Sequence, residues 1–221
     1  MEKNYVIVGN SAAAIGCVEG IRQVDTKGSI LIVSDEPHHT YSRPLISYLL
    51  WGKTDRQRMK YRPDSFYEDN KVDTLFGVKA TALHPEEHTL ELDNGGTVTY
   101  GKLLLATGSR PFIPPMEGLD QVEKKFTFMT LNDALALEEA ITPDSKVLIV
   151  GAGLIGLKCA EGIFEKVASL TVVDLANRIL PSILDEEGSK LVQEYIEKKG
   201  VKFYLSDSVA KFEEGVARLN S

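Results

Sequence analysis

KVLIVGAGLIGLKCAEGI, residues 146–163, decides the fold. Four apolar residues, Val147 to Val150, run into Gly151, and a helical pattern starts immediately afterwards. Within it GAGLIG is an unbroken G-x-G-x-x-G. Gly151 suits the tight turn, Gly153 lets the backbone approach a pyrophosphate, and Gly156 permits close packing of helix on strand. Leu154 and Ile155 complete the turn, and the first amides of the helix offer donors and a positive dipole end to phosphate. The next apolar run, LTVV, ends in Asp174, about twenty residues on, where a carboxylate accepts hydrogen bonds from a ribose diol. Asp174 also repels a 2′-phosphate, which favours NAD(H) over NADP(H), although Arg178 nearby tempers that preference.

The same pattern occurs earlier in the chain. LIVG at 148–151 repeats VIVG at 6–9, and C-x-E-G-I at 159–163 repeats C-x-E-G-I at 17–21, both at an offset of 142 residues. A shared strand end could arise by chance; a shared helix face at the same offset points to internal duplication of a nucleotide-binding unit. Gly9 then matches Gly151, Ser11 matches Gly153 and Ala14 matches Gly156. Ala14 is a mild change, whereas Ser11 puts a side chain where backbone should meet phosphate, with a hydroxyl able to donate to it. The following apolar run, ILIVS, leads into Asp35 and Glu36, again at the place of a ribose acceptor. The plain alternative is a strand-turn-helix without a ligand.

Composition narrows the class. A net charge of −7 argues against nucleic-acid binding, which needs a basic surface. No apolar run is long enough to span a bilayer, and MEKNYVIVG enters a strand without a leader, so the expected setting is the cytoplasm. Two cysteines, Cys17 and Cys159, supply neither a disulfide framework nor a four-ligand zinc site, and His38-His39 lacks a second ligand pair. Apolar runs at 4–8, 29–33, 102–106, 146–150 and 170–173 alternate with helical patterns at 12–24, 131–141, 154–167 and 185–199. That alternation predicts parallel α/β units. EHTLELDNGGTVTY, 87–100, predicts an antiparallel hairpin about an Asn-Gly-Gly turn, inserted in the first unit. The Pro- and Gly-rich stretch 107–118 predicts a boundary near Phe112, giving domains 1–112 and 113–221.

With both turns placed, the whole chain resembles the N-terminal portion of the FAD-dependent pyridine nucleotide-disulfide oxidoreductases. Its particular likeness is to their rubredoxin/ferredoxin reductase and nitrite reductase NADH-domain branch. The first glycine turn, the segment LLLATGSRPFIPP at 103–115, and GAGLIG followed by VVDLANRILP carry the likeness, in the family's order. The resemblance implies two Rossmann-like, three-layer dinucleotide domains, the first holding FAD and the second NAD(H). It places Gly9, Asn10, Ser11, Ala12 and Ala14 along the FAD pyrophosphate, with Ser34, Asp35 and Glu36 at the adenosine ribose. DEPHHTYSRPLIS, 35–47, is similar to a family loop whose Arg43 and Pro44 approach FAD. Ala80 would serve the adenine side, and Ala106, Thr107 and Gly108 would cover the cofactor. Electrons would pass from NADH through flavin to a rubredoxin- or ferredoxin-type carrier or another acceptor.

Three departures matter. Thiol-dependent relatives carry a redox cysteine in the loop that here reads PLISYLL, which disfavours a thiol-based peroxide or disulfide reductase. Lys158 stands where relatives often have a glutamate near the nicotinamide, so it is either a neighbour of that ring or an outward lysine with a solvated head. The family's closing strands and interface domain are expected beyond this chain, which then reads as a fragment. A catalytically incomplete nucleotide-binding module is the alternative. The basic stretch KTDRQRMKYR, 53–62, would steer an acidic carrier or simply form a solvated face. Oligomerisation is left open.

Overall fold

The computed structural model describes residues 1–221 and divides into two compact units. Unit 1 comprises 1–42 and 56–109; unit 2 comprises 43–55 and 110–221.

In unit 1, β1 (Glu2–Val8) leads through the first glycine turn into α1 (Ala12–Val24), and β2 (Ile30–Ser34) returns parallel to β1. A one-turn helix, α3 (Phe66–Asp69), precedes β3 (Val72–Phe76), and β4 (Ala80–His84), β5 (Thr89–Leu92) and β6 (Thr97–Leu105) follow. The order is β3-β2-β1-β6-β5-β4. The first four of these strands run parallel and the last two add the antiparallel insert, with Asn94 and Gly95 in the β5–β6 turn. Val6, Val8, Leu31 and Val33 bury one face of β1 and β2 against Leu90, Leu92, Val98 and Tyr100 of the insert. Ile7, Ile30 and Ile32 bury the opposite face against Ala14, Ile15 and Val18 of α1. Burial on both faces explains why ILIVS reads as an unbroken apolar run instead of an alternation. Helix α1 ends where the Asp25 carboxylate collects the amides of Gly28 (2.7 Å) and Lys27 (2.9 Å) and the hydroxyl of Tyr5 (3.0 Å). Those donors hold the Asp25 carboxyl below the usual carboxylate range.

Unit 2 begins with a segment borrowed from the middle of the sequence. A 3₁₀ turn at Arg43–Leu45 leads into the short helix α2 (Ile46–Leu50), which packs with α4 (Leu131–Ala140) and α5 (Leu154–Ile163). The Gly162 Cα lies so near α2 that a Cβ there would be 3.0 Å from Ser47 O and 3.1 Å from Leu50 Cβ. Gly20, the matching residue of the first repeat, faces open space. The repeated glycine therefore serves packing in one copy only. Strands β7 (Lys146–Val150), β8 (Ser169–Asp174) and β9 (Val201–Leu205) form a parallel sheet in that order, with α6 (Glu186–Glu197) between β8 and β9. Finally β10 (Val209–Glu213) and β11 (Val216–Leu219) make a hairpin whose Phe212 amide donates to Glu117 O (2.8 Å). The expected class, α/β with two strand-turn-helix nucleotide folds and an antiparallel insert in the first, is what the molecule adopts. No helix is long and apolar enough to cross a membrane.

Candidate functional site

The two glycine turns are the same object built twice. Gly9 has φ +116° and Gly151 has φ +115°, a region that side chains rarely enter. Each donates its amide to the second strand of its unit, Gly9 to Val33 O and Gly151 to Val173 O, both at 2.8 Å. Ser11 and Gly153 are the N-caps of α1 and α5, both extended, and neither helix has a side-chain cap or an acid in its first turn. The other two long helices differ. Thr130 and Asp133 form a capping box on α4, and Asp185 caps α6 ahead of Glu186 and Glu187. Among the four long helices, bare amides and an uncompensated positive dipole end therefore mark the two that follow glycine turns.

The glycines divide into those whose absence of a side chain the fold requires and those where it does not. A Cβ on Gly9 would lie 2.1 Å from Ala106 O, because β6 closes over the turn with the Ala106 amide donating to Val8 O (2.8 Å). A Cβ on Gly156 would lie 2.1 Å from Gly151 O and 3.2 Å from Ile149 Cγ2, so helix and strand touch there as the motif predicts. Ala14, its counterpart, is fully buried beside Ile15 in the core. Gly153 is different: its φ is −77° and nothing lies within 4 Å of an added Cβ. No protein atom requires glycine at 153. The open space in front of the α5 amides fits an approaching pyrophosphate, the group for which that motif position is glycine.

Asp174 stands at the end of β8 as expected, but its oxygens already have donors. Oδ2 accepts from the Ala152 amide (2.6 Å) and Oδ1 from the Ala176 amide (2.7 Å), so this carboxylate pins the middle of the second glycine turn. Four lone-pair directions leave it capacity for a ribose hydroxyl as well. In unit 1 the register puts Ser34 level with Asp174, since Val8 pairs with Val33 and Val150 with Val173. Asp35 lies one residue beyond and is exposed, and Glu36 accepts from the Tyr41 hydroxyl (2.6 Å). The middle residue here, Asn10, is pinned by its side chain, which donates to His38 O (3.1 Å) and accepts from the Tyr67 hydroxyl (2.7 Å).

The remaining residues named from sequence distribute as follows. Ala80 opens β4 and packs on the cluster of Val8 and Val33, and Val78, two residues earlier, donates its amide to Ser34 O (3.0 Å). Ala106, Thr107 and Gly108 leave β6 beside Gly9, with Thr107 and Gly108 exposed. Unit 1 thus gathers Gly9 to Ala14, Ser34 to Glu36, Ala80 and Ala106. Arg43 and Pro44 belong to unit 2, where Arg43 donates to Met129 O (3.2 Å). Leu154 and Ile155 are 56% and 52% exposed, apolar side chains displayed on the first turn of α5. Lys158, one turn further, pairs with Glu161 and lies 4.2 Å over the Tyr48 ring. Its head is held by protein groups, not simply solvated. Tyr67 and Tyr48 carried no signal in the sequence, because single aromatic residues near apolar ones read as core.

The cysteines are packing residues. Cys159 is buried on α5, and burial pushes its thiol up to about 12. Burial also raises Cys17. A thiol held that high stays protonated near neutrality, the state that is neither nucleophile nor ligand. In the basic stretch, Lys60 pairs with Asp64 and Arg62 with Glu19 (2.7 Å), while Lys53 lies over Trp51.

Comparison with known proteins agrees with this geometry. The chain is 34% identical over 213 residues to the NADH-dependent phenylglyoxylate dehydrogenase subunit epsilon of Aromatoleum evansii, covering 96% of this chain and 50% of that protein. It is 33% identical over 215 residues to the ferredoxin--NAD(+) reductase component of the 3-phenylpropionate/cinnamic acid dioxygenase of Photorhabdus laumondii, covering 94% and 52%. Among solved structures, a chain of the covalent putidaredoxin reductase-putidaredoxin complex superposes with a TM-score of 0.85 at 26% identity, over 96% of this chain and 51% of that one. The chain spans about half the length of these relatives. The profile of the pyridine nucleotide-disulphide oxidoreductases matches residues 3–219, and the chain belongs to that family.

Proposed function

We propose that the first turn holds FAD and the second NAD(H), and that the chain is the nucleotide-binding part of an FAD-dependent NADH oxidoreductase. The observation that carries this reading is the duplicated turn: two uncapped helices, the same backbone at Gly9 and Gly151, and open space at Gly153 that the fold does not require. In this reading Gly9, Asn10, Ser11 and Ala12 lie along the FAD pyrophosphate, with Ser34, Asp35 and Glu36 toward its ribose and Ala106 to Gly108 alongside. Gly151, Gly153, Leu154, Ile155 and Gly156 hold the NAD(H) pyrophosphate, and Asp174 orders the turn while facing the ribose. FAD, when bound, supplies the electron chemistry, accepting electrons in pairs and releasing them singly. The chain's own residues bind, orient and neutralise charge through amides and helix ends. Cys159, buried with its thiol pushed up to about 12, offers no thiolate near neutral pH.

The downstream acceptor is a small protein carrier of ferredoxin or rubredoxin type. The names of the Photorhabdus reductase and of the putidaredoxin complex support that class. The setting proposed for it is the cytoplasm, in keeping with a chain that has too few cysteines for a disulfide framework. Anaerobic addition of NADH to the FAD-loaded chain tests the function, and the visible flavin absorption is expected to bleach with one equivalent. A chain that holds FAD and binds NADH yet keeps its colour would instead be a nucleotide-holding module without turnover.

A further inference from the structure

The two copies fix the middle of their glycine turns by different means. In unit 2 the Ala152 amide is tied to the Asp174 carboxylate at 2.6 Å. In unit 1 the residue level with Asp174 is Ser34, whose side chain is one atom shorter and carries no carboxylate. There the middle residue, Asn10, reaches outward with its own side chain. Its Oδ1 accepts from the Tyr67 hydroxyl at 2.7 Å and its Nδ2 donates to His38 O at 3.1 Å. The Tyr67 oxygen in turn accepts from the Thr40 amide at 3.1 Å. One phenol thus joins α3, the loop after β2 and the glycine turn.

We propose that Tyr67 is the positioning residue of the first phosphate turn, acting through Asn10 to hold the Asn10–Ala12 amides where the FAD pyrophosphate is received. The inference rests on the reading of that turn as the FAD site. Three neighbouring rings fix the phenol in place, since Phe66, Phe76 and His39 meet it edge-on at centroid distances of 5.4, 5.4 and 4.9 Å. Burial also raises the phenol's pKa, which keeps it a donor well above neutral pH. The surrounding loop keeps two buried polar atoms, Thr40 Oγ1 and His39 Nε2, without partners. Asn10 is 57 residues from Tyr67, so the link is tertiary and independent of helix α1.

Removal of the hydroxyl with retention of the ring tests the proposal. Wild type, Tyr67→Phe, Asn10→Ala and the double variant are compared for FAD dissociation constant, NADH dissociation constant and thermal midpoint of the FAD-free chain. Binding is measured well below each midpoint, so a general loss of stability does not register as lost affinity. Tyr67→Phe and Asn10→Ala are each expected to weaken FAD binding at least about tenfold with NADH affinity unchanged, and the double variant to be no weaker than Asn10→Ala. Additive losses, or a Tyr67→Phe chain that binds FAD like wild type, overturn the positioning role and leave the FAD site in place. A wild-type chain that binds NADH but no FAD overturns the reading of the first turn itself, and the proposal with it.

Discussion

Gly153→Val is expected to abolish NADH binding while unit 2 stays folded. Valine can adopt φ −77° in extended backbone, and its Cβ would have no neighbour within 4 Å. The cost to the fold is that of a poor N-cap, about 1 kcal/mol. The cost to the ligand is larger, because a branched side chain would fill the space in front of the first α5 amides. The pyrophosphate would then lose both contact and the helix-end field. An affinity loss of at least about a hundredfold, or about 2.7 kcal/mol, is expected in an NADH titration, with a thermal midpoint near that of wild type. Gly153→Ser gives the informative contrast. Ser11 occupies the matching place in the first turn, so serine at 153 is expected to keep much of the affinity that valine destroys. A valine variant that binds NADH normally would place the coenzyme away from this turn.

The second large effect is on folding. Gly9→Ala combines a φ of +116° with a Cβ 2.1 Å from Ala106 O. The left-handed strain alone is worth about 1–2 kcal/mol. The overlap involves backbone on both sides, which cannot rotate away, so either β6 or the turn must shift. A total destabilisation of about 3 kcal/mol or more is expected, lowering the melting midpoint of unit 1 by at least about 10 °C. Gly95→Ala separates the two contributions: φ is +80° but no atom lies within 4 Å, so only the strain remains. Circular dichroism melts of both variants decide the matter. Equal losses would mean that Ala106 O is not in the way.

Much of this was legible in the sequence because the signals are local. Strand, glycine turn and helix start lie within ten residues, and helices at 12–24 and 131–141 formed nearly to the residue as Ala12–Val24 and Leu131–Ala140. The Asn-Gly-Gly turn likewise announced the antiparallel insert. What stayed hidden depends on distant partners. VDTLF at 72–76 is a short, half-polar run, and only its pairing with β2 makes it a strand. Residues 43–55 adjoin the first unit in sequence, but their packing on α4 and α5 assigns them to the second. The acid at 174 was visible as a strand-end carboxylate; that the Ala152 and Ala176 amides would bind it was not. The constant 142-residue offset also conceals a slip of two residues before β2, so that Ser34 and not Asp35 is level with Asp174. Sequence spacing fixes which residues reach a turn, and tertiary hydrogen bonds decide what each does there.

The central claim is that one chain carries two separate dinucleotide sites, one per glycine turn. Calorimetric titration of the nucleotide-free chain with FAD, and then with NAD(H), measures this directly. The account predicts one FAD and one NAD(H) per chain, with Gly153→Val removing only the second. A chain that binds a single dinucleotide, or one in which FAD and NAD(H) displace each other, would contradict it.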